Sequence, residues 1–379
     1  MAKSKKNKKK ERRINKREEI FENKLELKKI LKWFLLSRVL LIVFLLIKGD
    51  LSILELYDSE HYLTMAKNGY VTDNLYAFFP LYPLVIKGIS FIIPSGQIVG
   101  MLISNVCAFL SILVLHELTK DKKNYGNLMC LIFSPILAYS SMVYTESMFM
   151  LLTLLGYYLY KKNKYLLAGI VVGLSILTRN SGIILWGAIG LEMLIRYFTP
   201  EDNTIKFKNI LLFGFVGLGI GMIYPIYLYF ETGNFLKFIT IQSEMWGRVS
   251  GMPWDNFISD IKVISRGGPA TFGNILIFLE NWISFILVLI MAIKIFKKDK
   301  AASIYMIVSL IAFTITYRDI NYWKTLASIS LFRYVLNLFP IYLYLLDNKR
   351  ERTRNVICFG FIVLGLYNAG LIYAGWFLG

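Results

Sequence analysis

Phe79-Pro80-Leu81-Tyr82-Pro83-Leu84-Val85-Ile86-Lys87-Gly88-Ile89-Ser90-Phe91-Ile92-Ile93 is apolar enough to suggest a membrane span, yet its fifteen residues include two prolines and a lysine. A straight helix needs roughly 20 apolar residues to cross a bilayer core. The run is therefore read as a re-entrant or interfacial helix. Counting it as a span would invert every later loop. With it set aside, eleven apolar segments remain, at 31–48, 97–118, 126–142, 146–160, 165–178, 181–197, 209–230, 275–295, 301–317, 328–346 and 355–376. Several are short, and Ser134-Pro135 and the stretch around Tyr144 suggest a hairpin that is locally broken or meets the membrane boundary.

Loop charge tests this map. With a cytoplasmic N-terminus, the inside loops are Lys120–Lys123, Lys161–Lys164, Arg196–Lys208, Lys294–Lys300 and Asp347–Arg354, and every one is net positive. Lys/Arg bias in short loops sets orientation, so the map is self-consistent. The composition agrees: 56% of the 379 residues are hydrophobic and only 18% charged, against about 25% charged in soluble domains. The fold expected is an all-α polytopic membrane protein of about eleven transmembrane helices. It has a basic cytosolic segment over residues 1–30, partly disordered, and one integral domain over 31–379. No internal repeat supports an inverted-repeat transporter.

The net charge of +18 is uneven, because residues 1–32 hold fourteen Lys/Arg against five Glu. Such a block beside a first span marks a cytosolic end drawn to anionic lipid headgroups. No aromatic platform accompanies it, which sets nucleic acid aside. From Arg12 onward, Ile14, Ile20, Leu25, Leu27 and Ile30 are spaced for an amphipathic surface helix. Cys107, Cys130 and Cys358 form no C-x-x-C pair and suggest no disulfide framework. No small-residue cleavage site follows the first apolar run, so no cleavable signal peptide is read.

Under this topology the polar residues outside the basic clusters collect on the outer face. Tyr57-Asp58-Ser59-Glu60-His61-Tyr62 is the densest such stretch. Asp58 has two readings: a general base that takes a proton from an acceptor hydroxyl, or the N-cap of a helix starting at Ser59 or Glu60. His61 either meets a phosphate oxygen or makes ordinary interfacial hydrogen bonds, and His116 lies at the opposite face. Arg179, Arg248 and Arg333 each suit a phosphate fork; snorkelling is the alternative, most apt for Arg179. Arg333 sits among apolar neighbours and is harder to explain that way. Glu146 opens a span, where capping competes with a site role. Gln242, Trp246, Trp254 and Tyr334 belong to the same outer set, with Tyr144-Thr145, Asn180, Glu244, Asp255 and Arg318-Asp319, the tryptophans suiting either a sugar ring or the interfacial aromatic belt. No His/Cys cluster has zinc spacing. No cofactor is called for, although Asp58, Glu60 and Glu146 leave a divalent cation open.

Together these residues resemble a known family. Asp58-Ser59-x-His61-Tyr62, followed by Gly69-Tyr70 and Ala77-Phe78-Phe79-Pro80-Leu81-Tyr82-Pro83, is similar to the first outer loop of the PIG-V-like mannosyltransferases. Tyr144-Thr145-Glu146-Ser147, Leu177-Thr178-Arg179-Asn180-x-Gly182, Gln242-x-x-x-Trp246-Gly247-Arg248 with Pro253-Trp254, and Arg333-Tyr334-x-x-x-Leu338-Phe339-Pro340 follow in the family's order. Tyr57 stands where the family commonly has Trp, and Phe332 where bacterial members often have Pro.

The resemblance implies a GT-C type fold and a polyprenyl-phosphate sugar donor. It makes Asp58 the expected catalytic base. Arg248, Arg333, Arg179 and His61 become the expected donor-phosphate residues, and Glu60, Tyr62, Glu146, Gln242, Trp246, Trp254 and Tyr334 the expected substrate contacts. The expected partners are the lipid-phosphate sugar, a glycan or glycolipid acceptor and membrane lipids. A flippase of lipid-linked sugars is the competing reading, and a non-catalytic scaffold a third. A flippase would place polar groups along a whole pathway, whereas these gather on one face.

Overall fold

The computed structural model describes residues 25–47, 49, 57–119, 125–199, 204–267, 271–323, 325–347 and 349–373. The basic block at residues 1–24, with its expected disorder and surface helix, lies outside them, as does the inside loop Lys120–Lys123.

Among the described residues, five helices are long and apolar enough to cross a membrane, as befits an integral membrane protein. They are α1 (Leu25–Ile47), α4 (Gly96–Thr119), the continuous stretch Phe207–Thr232, α13 (Thr271–Ile295) and α18 (Glu351–Tyr373). The stretch Phe207–Thr232 contains α9 (Phe207–Gly221) and α10 (Ile223–Thr232), with a break at Met222. Pro225 explains the break: it donates no N–H, and its ring crowds the carbonyl four residues back, at Gly221.

Four other expected spans are shorter helices: α6 (Glu146–Lys161), α7 (Tyr165–Thr178), α8 (Gly182–Phe198) and α14 (Lys300–Ile315), of 14 to 17 residues. At ~1.5 Å per residue each falls short of a ~30 Å hydrocarbon core. The figure of about eleven transmembrane helices does not stand as a count of full-length spans.

Two expected spans are not continuous helices at all. In 126–142, α5 (Tyr125–Ile132) stops before Ser134-Pro135, and a buried chain of turns runs on to Thr145. In 328–346, only α16 (Leu331–Leu336) and α17 (Pro340–Tyr344) are helical. Non-helical backbone at membrane depth survives where protein covers it. Each broken segment covers the other here, with Ser134 Oγ and Tyr342 OH 2.7 Å apart.

The first loop is helical too. It contains α2 (Asp58–Asn68), a 3₁₀ turn (Asp73–Ala77) and α3 (Leu81–Ser90). At ten residues α3 is too short to cross, and it packs on α4: Tyr82 OH donates to Gly100 O at 2.9 Å and lies 2.8 Å from Ser104 Oγ. After α11 (Lys237–Glu244) and before α12 (Pro253–Ser265) comes β1 (Arg248–Ser250). It pairs antiparallel with β2 (Thr316–Arg318), so the all-α expectation misses a two-stranded ribbon. The span expected at 301–317 ends at Ile315 and turns into strand across the β-favouring Thr316-Tyr317. A single helical turn, α15 (Ile320–Trp323), follows the ribbon.

The site's frame is held at both ends of α6. At the far end, buried Asp299 caps α14 by accepting from Ala302 N at 3.1 Å, and also accepts from Tyr344 OH at 2.5 Å. Alongside, α7 and α9 meet through facing small-residue motifs, Gly169-x-x-x-Gly173 and Gly217-x-x-x-Gly221. A Cβ on Gly173 would lie 2.8 Å from both Gly217 O and Ile220 Cβ, whereas one on Gly219 meets nothing within 4 Å. Gly173→Leu is expected to separate the pair and lower stability by about 1–3 kcal/mol or more. Gly219→Leu serves as the control. Equal thermal denaturation of the two purified variants would show that this contact carries no weight.

Candidate active site

Asp58 does not behave as a helix cap. Helix α2 begins at Asp58 itself, and Tyr57 occupies the cap position with φ 60° and ψ −127°. A non-glycine residue there costs on the order of 1–3 kcal/mol, so the surrounding structure must impose it. The Asp58 carboxylate turns inward instead, where Oδ2 accepts from Arg333 Nη2 at 2.8 Å.

Arg333 in turn donates from Nε to Glu146 Oε1 at 2.5 Å, and Arg179 Nη1 donates to the same oxygen at 2.7 Å. Four residues distant in the chain thus form one line of alternating charge: Asp58, Arg333, Glu146, Arg179. Glu146 and Arg333 are buried, with 1% and 3% of their side-chain surface accessible, while Asp58 keeps 27%. Of these three, Asp58 is the group that a reactant can reach. Glu146 also starts its helix without capping it by this route, because Oε1 serves two guanidiniums.

The backbone that presents Arg333 is clamped. Ser330 enters α16 in a left-handed conformation, φ 77°. Asn281 Oδ1 accepts from Phe332 N at 2.8 Å, and its Nδ2 donates to Ser328 O at 2.9 Å. Asp260 Oδ1 accepts from Ser328 N at 3.0 Å, and Oδ2 from Trp282 Nε1 at 2.8 Å. Tyr139 and Tyr144 face the Arg333 guanidinium at 4.7 and 4.8 Å from their ring centroids.

An aromatic wall adjoins the line. Tyr62 OH lies 3.4 Å from Thr145 Oγ1, which accepts from Arg179 Nη1 at 3.3 Å. Tyr62 and Trp246 both pack edge-on against Phe78, and the His61 ring lies 5.2 Å from Trp246. Burial lowers the pKa of His61, against the pull of Asp58 and Glu60. It is therefore neutral at pH 7 and offers a hydrogen bond rather than a charge. Tyr334 joins the line to the ribbon: its OH accepts from Arg248 Nη2 at 3.3 Å, and its ring lies 5.2 Å below the Arg179 guanidinium.

The expected site residues thus divide. Asp58, His61, Tyr62, Glu146, Arg179, Trp246, Arg248, Arg333 and Tyr334 form one connected neighbourhood. Glu60 is exposed, Trp254 is 60% exposed on α12, and Gln242 is half-buried on α11. Gln242 and Trp254 lie on the helices that flank β1, and Glu60 reaches the neighbourhood through its charge beside His61. His116 sits elsewhere, with Nε2 3.3 Å from Glu26 Oε2. Among the described residues no three His, Cys, Asp or Glu side chains converge as a metal cluster would require.

Several participants carry no site role in the sequence reading, although Tyr144, Thr145 and Arg318 belong to its outer-face set. Arg318 is the cross-strand partner of Arg248. Its pairing stayed hidden because the apolar run before it reads as helix throughout. Thr145, Tyr139 and Tyr144 come from the irregular buried segment. Arg38, on α1, lines a small, mostly apolar cavity of about 30 Å³ together with Glu146, Ser140 and Asn337, and donates from Nη1 to Ser140 Oγ at 3.0 Å. Its signal was available, since an arginine inside an apolar span is costly and marks a polar interior.

Residues 35–256 match the family model described as mannosyltransferase (PIG-V). The matched region ends before β2 and α16, so Arg318, Arg333 and Tyr334 lie beyond it. A GPI mannosyltransferase 2 from Yarrowia lipolytica is 30% identical over 142 residues, which are 36% of this chain and 39% of that protein. The matched region therefore spans about two-fifths of the relative's length. An Archaeoglobus fulgidus oligosaccharyltransferase, solved with a tethered acceptor peptide, aligns with a TM-score of 0.38 and 14% identity over 89% of this chain and 55% of that one.

Proposed function

The chain belongs to the PIG-V mannosyltransferase family, and from that premise we propose that it is an inverting glycosyltransferase working at the extracytoplasmic membrane face. The donor is a polyprenyl-phosphate hexose, mannose by family. The acceptor is a hydroxyl of a lipid-linked or cell-envelope glycan. The N-terminus is cytoplasmic, in keeping with the uniformly positive inside loops.

One observation carries this reading: Asp58 is held by Arg333 through Oδ2 and still has more than a quarter of its side-chain surface open. A base must be fixed in orientation and remain reachable. Asp58 takes the acceptor proton as the acceptor oxygen bonds to the anomeric carbon. The bond from that carbon to the phosphate oxygen breaks on the opposite face, and its electron pair leaves with the lipid phosphate. Buried Glu146 and Arg333 make no approach to solvent and serve to orient Asp58. The leaving phosphate needs positive charge more than a proton, which the neighbouring arginines provide. Partly exposed Phe78 and Trp246, backed by buried Tyr62, offer ring faces for the sugar.

The test uses membranes carrying the full chain and radiolabelled polyprenyl phosphomannose, with polyprenyl phosphoglucose for comparison. Covalent transfer of label to an endogenous glycan or glycolipid is expected, with mannose preferred. Movement of intact sugar-lipid across the bilayer without transfer would instead make the chain a flippase, and neither outcome would leave it a scaffold.

A further inference from the structure

Two atoms of charged groups are left over beside the line. Among the described residues, Glu146 Oε2 and Arg38 Nε are buried and meet no hydrogen-bond partner. One is an acceptor on a carboxylate, the other a donor on a guanidinium. Glu146 Oε1 already holds Arg333 and Arg179, and Arg38 donates from Nη1 to Ser140 Oγ at 3.0 Å. Ser147 Oγ donates to Ser140 O, also at 3.0 Å, so the turn that receives Arg38 is fastened to the residue after Glu146.

An arginine within an apolar span is costly unless a counter-charge answers it. Phe34 covers the Arg38 guanidinium, its ring centroid 4.5 Å from Cζ, and Ser140 is neutral. Among the described residues that line the cavity beside Arg38, Glu146 is the one acid. The two leftover atoms do not bond each other, and the cavity between their residues measures about 30 Å³. A water needs roughly 10–15 Å³ of such space and two to four polar partners. Pockets for organic ligands begin at about 300 Å³. The wall is mostly apolar, and a wholly apolar cavity stays dry. Here the lining includes a cation and an anion, and Asn337 and Ser111 add further polar groups.

We propose that this cavity is a water site, and that Arg38 acts through it as a positioning residue for Asp58. The water accepts from Arg38 Nε and donates to Glu146 Oε2, so the two charges answer each other across one molecule. The water site stands on the geometry alone, whereas the positioning role rests on the glycosyl-transfer reading above. A carboxylate held only at Oε1 can swing about that oxygen. A second hold at Oε2 fixes the plane of the Glu146 carboxylate. That plane sets the Arg333 guanidinium, which sets Asp58 Oδ2. Arg38 itself touches no reactant.

An experimental structure of the full chain, at a resolution that shows ordered solvent, tests the site directly. Density is expected within about 3.2 Å of both Arg38 Nε and Glu146 Oε2. Arg38 Nε bonded straight to Glu146, or no density between them, would overturn the proposal. Unfolding of the purified chain is the second measurement. Arg38→Met keeps the stem and its packing, and in a double-mutant cycle with Glu146→Gln it is expected to be non-additive. Additive effects would overturn the bridge. Transfer from polyprenyl phosphomannose reads the positioning role. Arg38→Met is expected to lower kcat about tenfold or more, with the donor KM within about twofold of wild type. Arg38→Lys, which keeps the charge, should recover most of that loss. A methionine variant with wild-type kcat, or lysine and methionine variants that fall alike, would remove the positioning role. A merely structural arginine would lower the yield of folded enzyme and leave kcat per folded molecule unchanged. The lysine variant and the wild-type structure keep the test decisive if the methionine variant does not fold. The two readings fail separately. A bridging water and coupled unfolding, with no transfer from any phosphosugar, keep the site and remove the enzyme. No bridge and additive unfolding, with transfer lost only in Asp58→Asn, remove the site and keep the enzyme.

Discussion

Asp58→Asn is expected to lower transfer from polyprenyl phosphomannose by about 10²–10⁴-fold, the usual contribution of a positioned general base. The substitution is nearly isosteric, and an asparagine oxygen can still accept from Arg333, so α2 should stay in place. Arg333 would lose one of its two charged partners but keep Glu146, at 2.5 Å. Polyprenyl phosphate binding should therefore change little, while kcat collapses. Kinetics on purified protein, with thermal denaturation as the check on folding, decide the matter. Transfer within about threefold of wild type would remove Asp58 from the role of base.

Glu146→Gln is expected to have the largest effect on stability. One Glu146 oxygen holds both Arg333 and Arg179; Glu146 and Arg333 are withdrawn from water and Arg179 is partly so. Removing the carboxylate charge leaves the buried Arg333 guanidinium and the partly buried Arg179 guanidinium facing each other across a neutral amide. Breaking a buried ion pair from one side costs about 3–5 kcal/mol. Arg179→Gln added to Glu146→Gln should recover part of that loss, because the double variant carries one less uncompensated charge. A double-mutant cycle by thermal or denaturant unfolding gives the coupling directly. Purely additive effects would mean that the pair is not coupled.

Much of this site is legible in the sequence, and the reason is physical. In a chain whose apolar segments are long and whose charges are few, a carboxylate or guanidinium away from the basic loops must have a compensating partner. That logic singles out Asp58, Glu146, Arg179 and Arg333, which form one line. It does not distinguish the roles: the three candidate phosphate arginines differ in what they touch, and burial denies His61 a charge. Helix continuity is harder to see. The apolar content of 126–142 and 328–346 is what a span would have, and Pro135 and Pro340 are the only marks of where the backbone breaks. The ribbon is hidden for a related reason, since Thr314-Ile315-Thr316-Tyr317 carries no charge, glycine or proline to mark where the helix ends. Glu60, Gln242 and Trp254 enter by residue type and expected side, and neither property places a side chain.

The line of alternating charge also has an order of assembly. Glu146 and Arg179 lie 33 residues apart, but Arg333 is 187 residues from Glu146 and 275 from Asp58. During synthesis the first pair can form as soon as α6 and α7 are inserted, whereas the anchor of Asp58 emerges only after most of the chain has been made. Contacts of such separation form late. A ribosome that stalls before Arg333 therefore releases a chain with the early pair in place and the Asp58 carboxylate without its Arg333 anchor. On the proposed role of Asp58, competence arrives with about the last eighth of the polypeptide, and a truncated product in the membrane is expected to be inert.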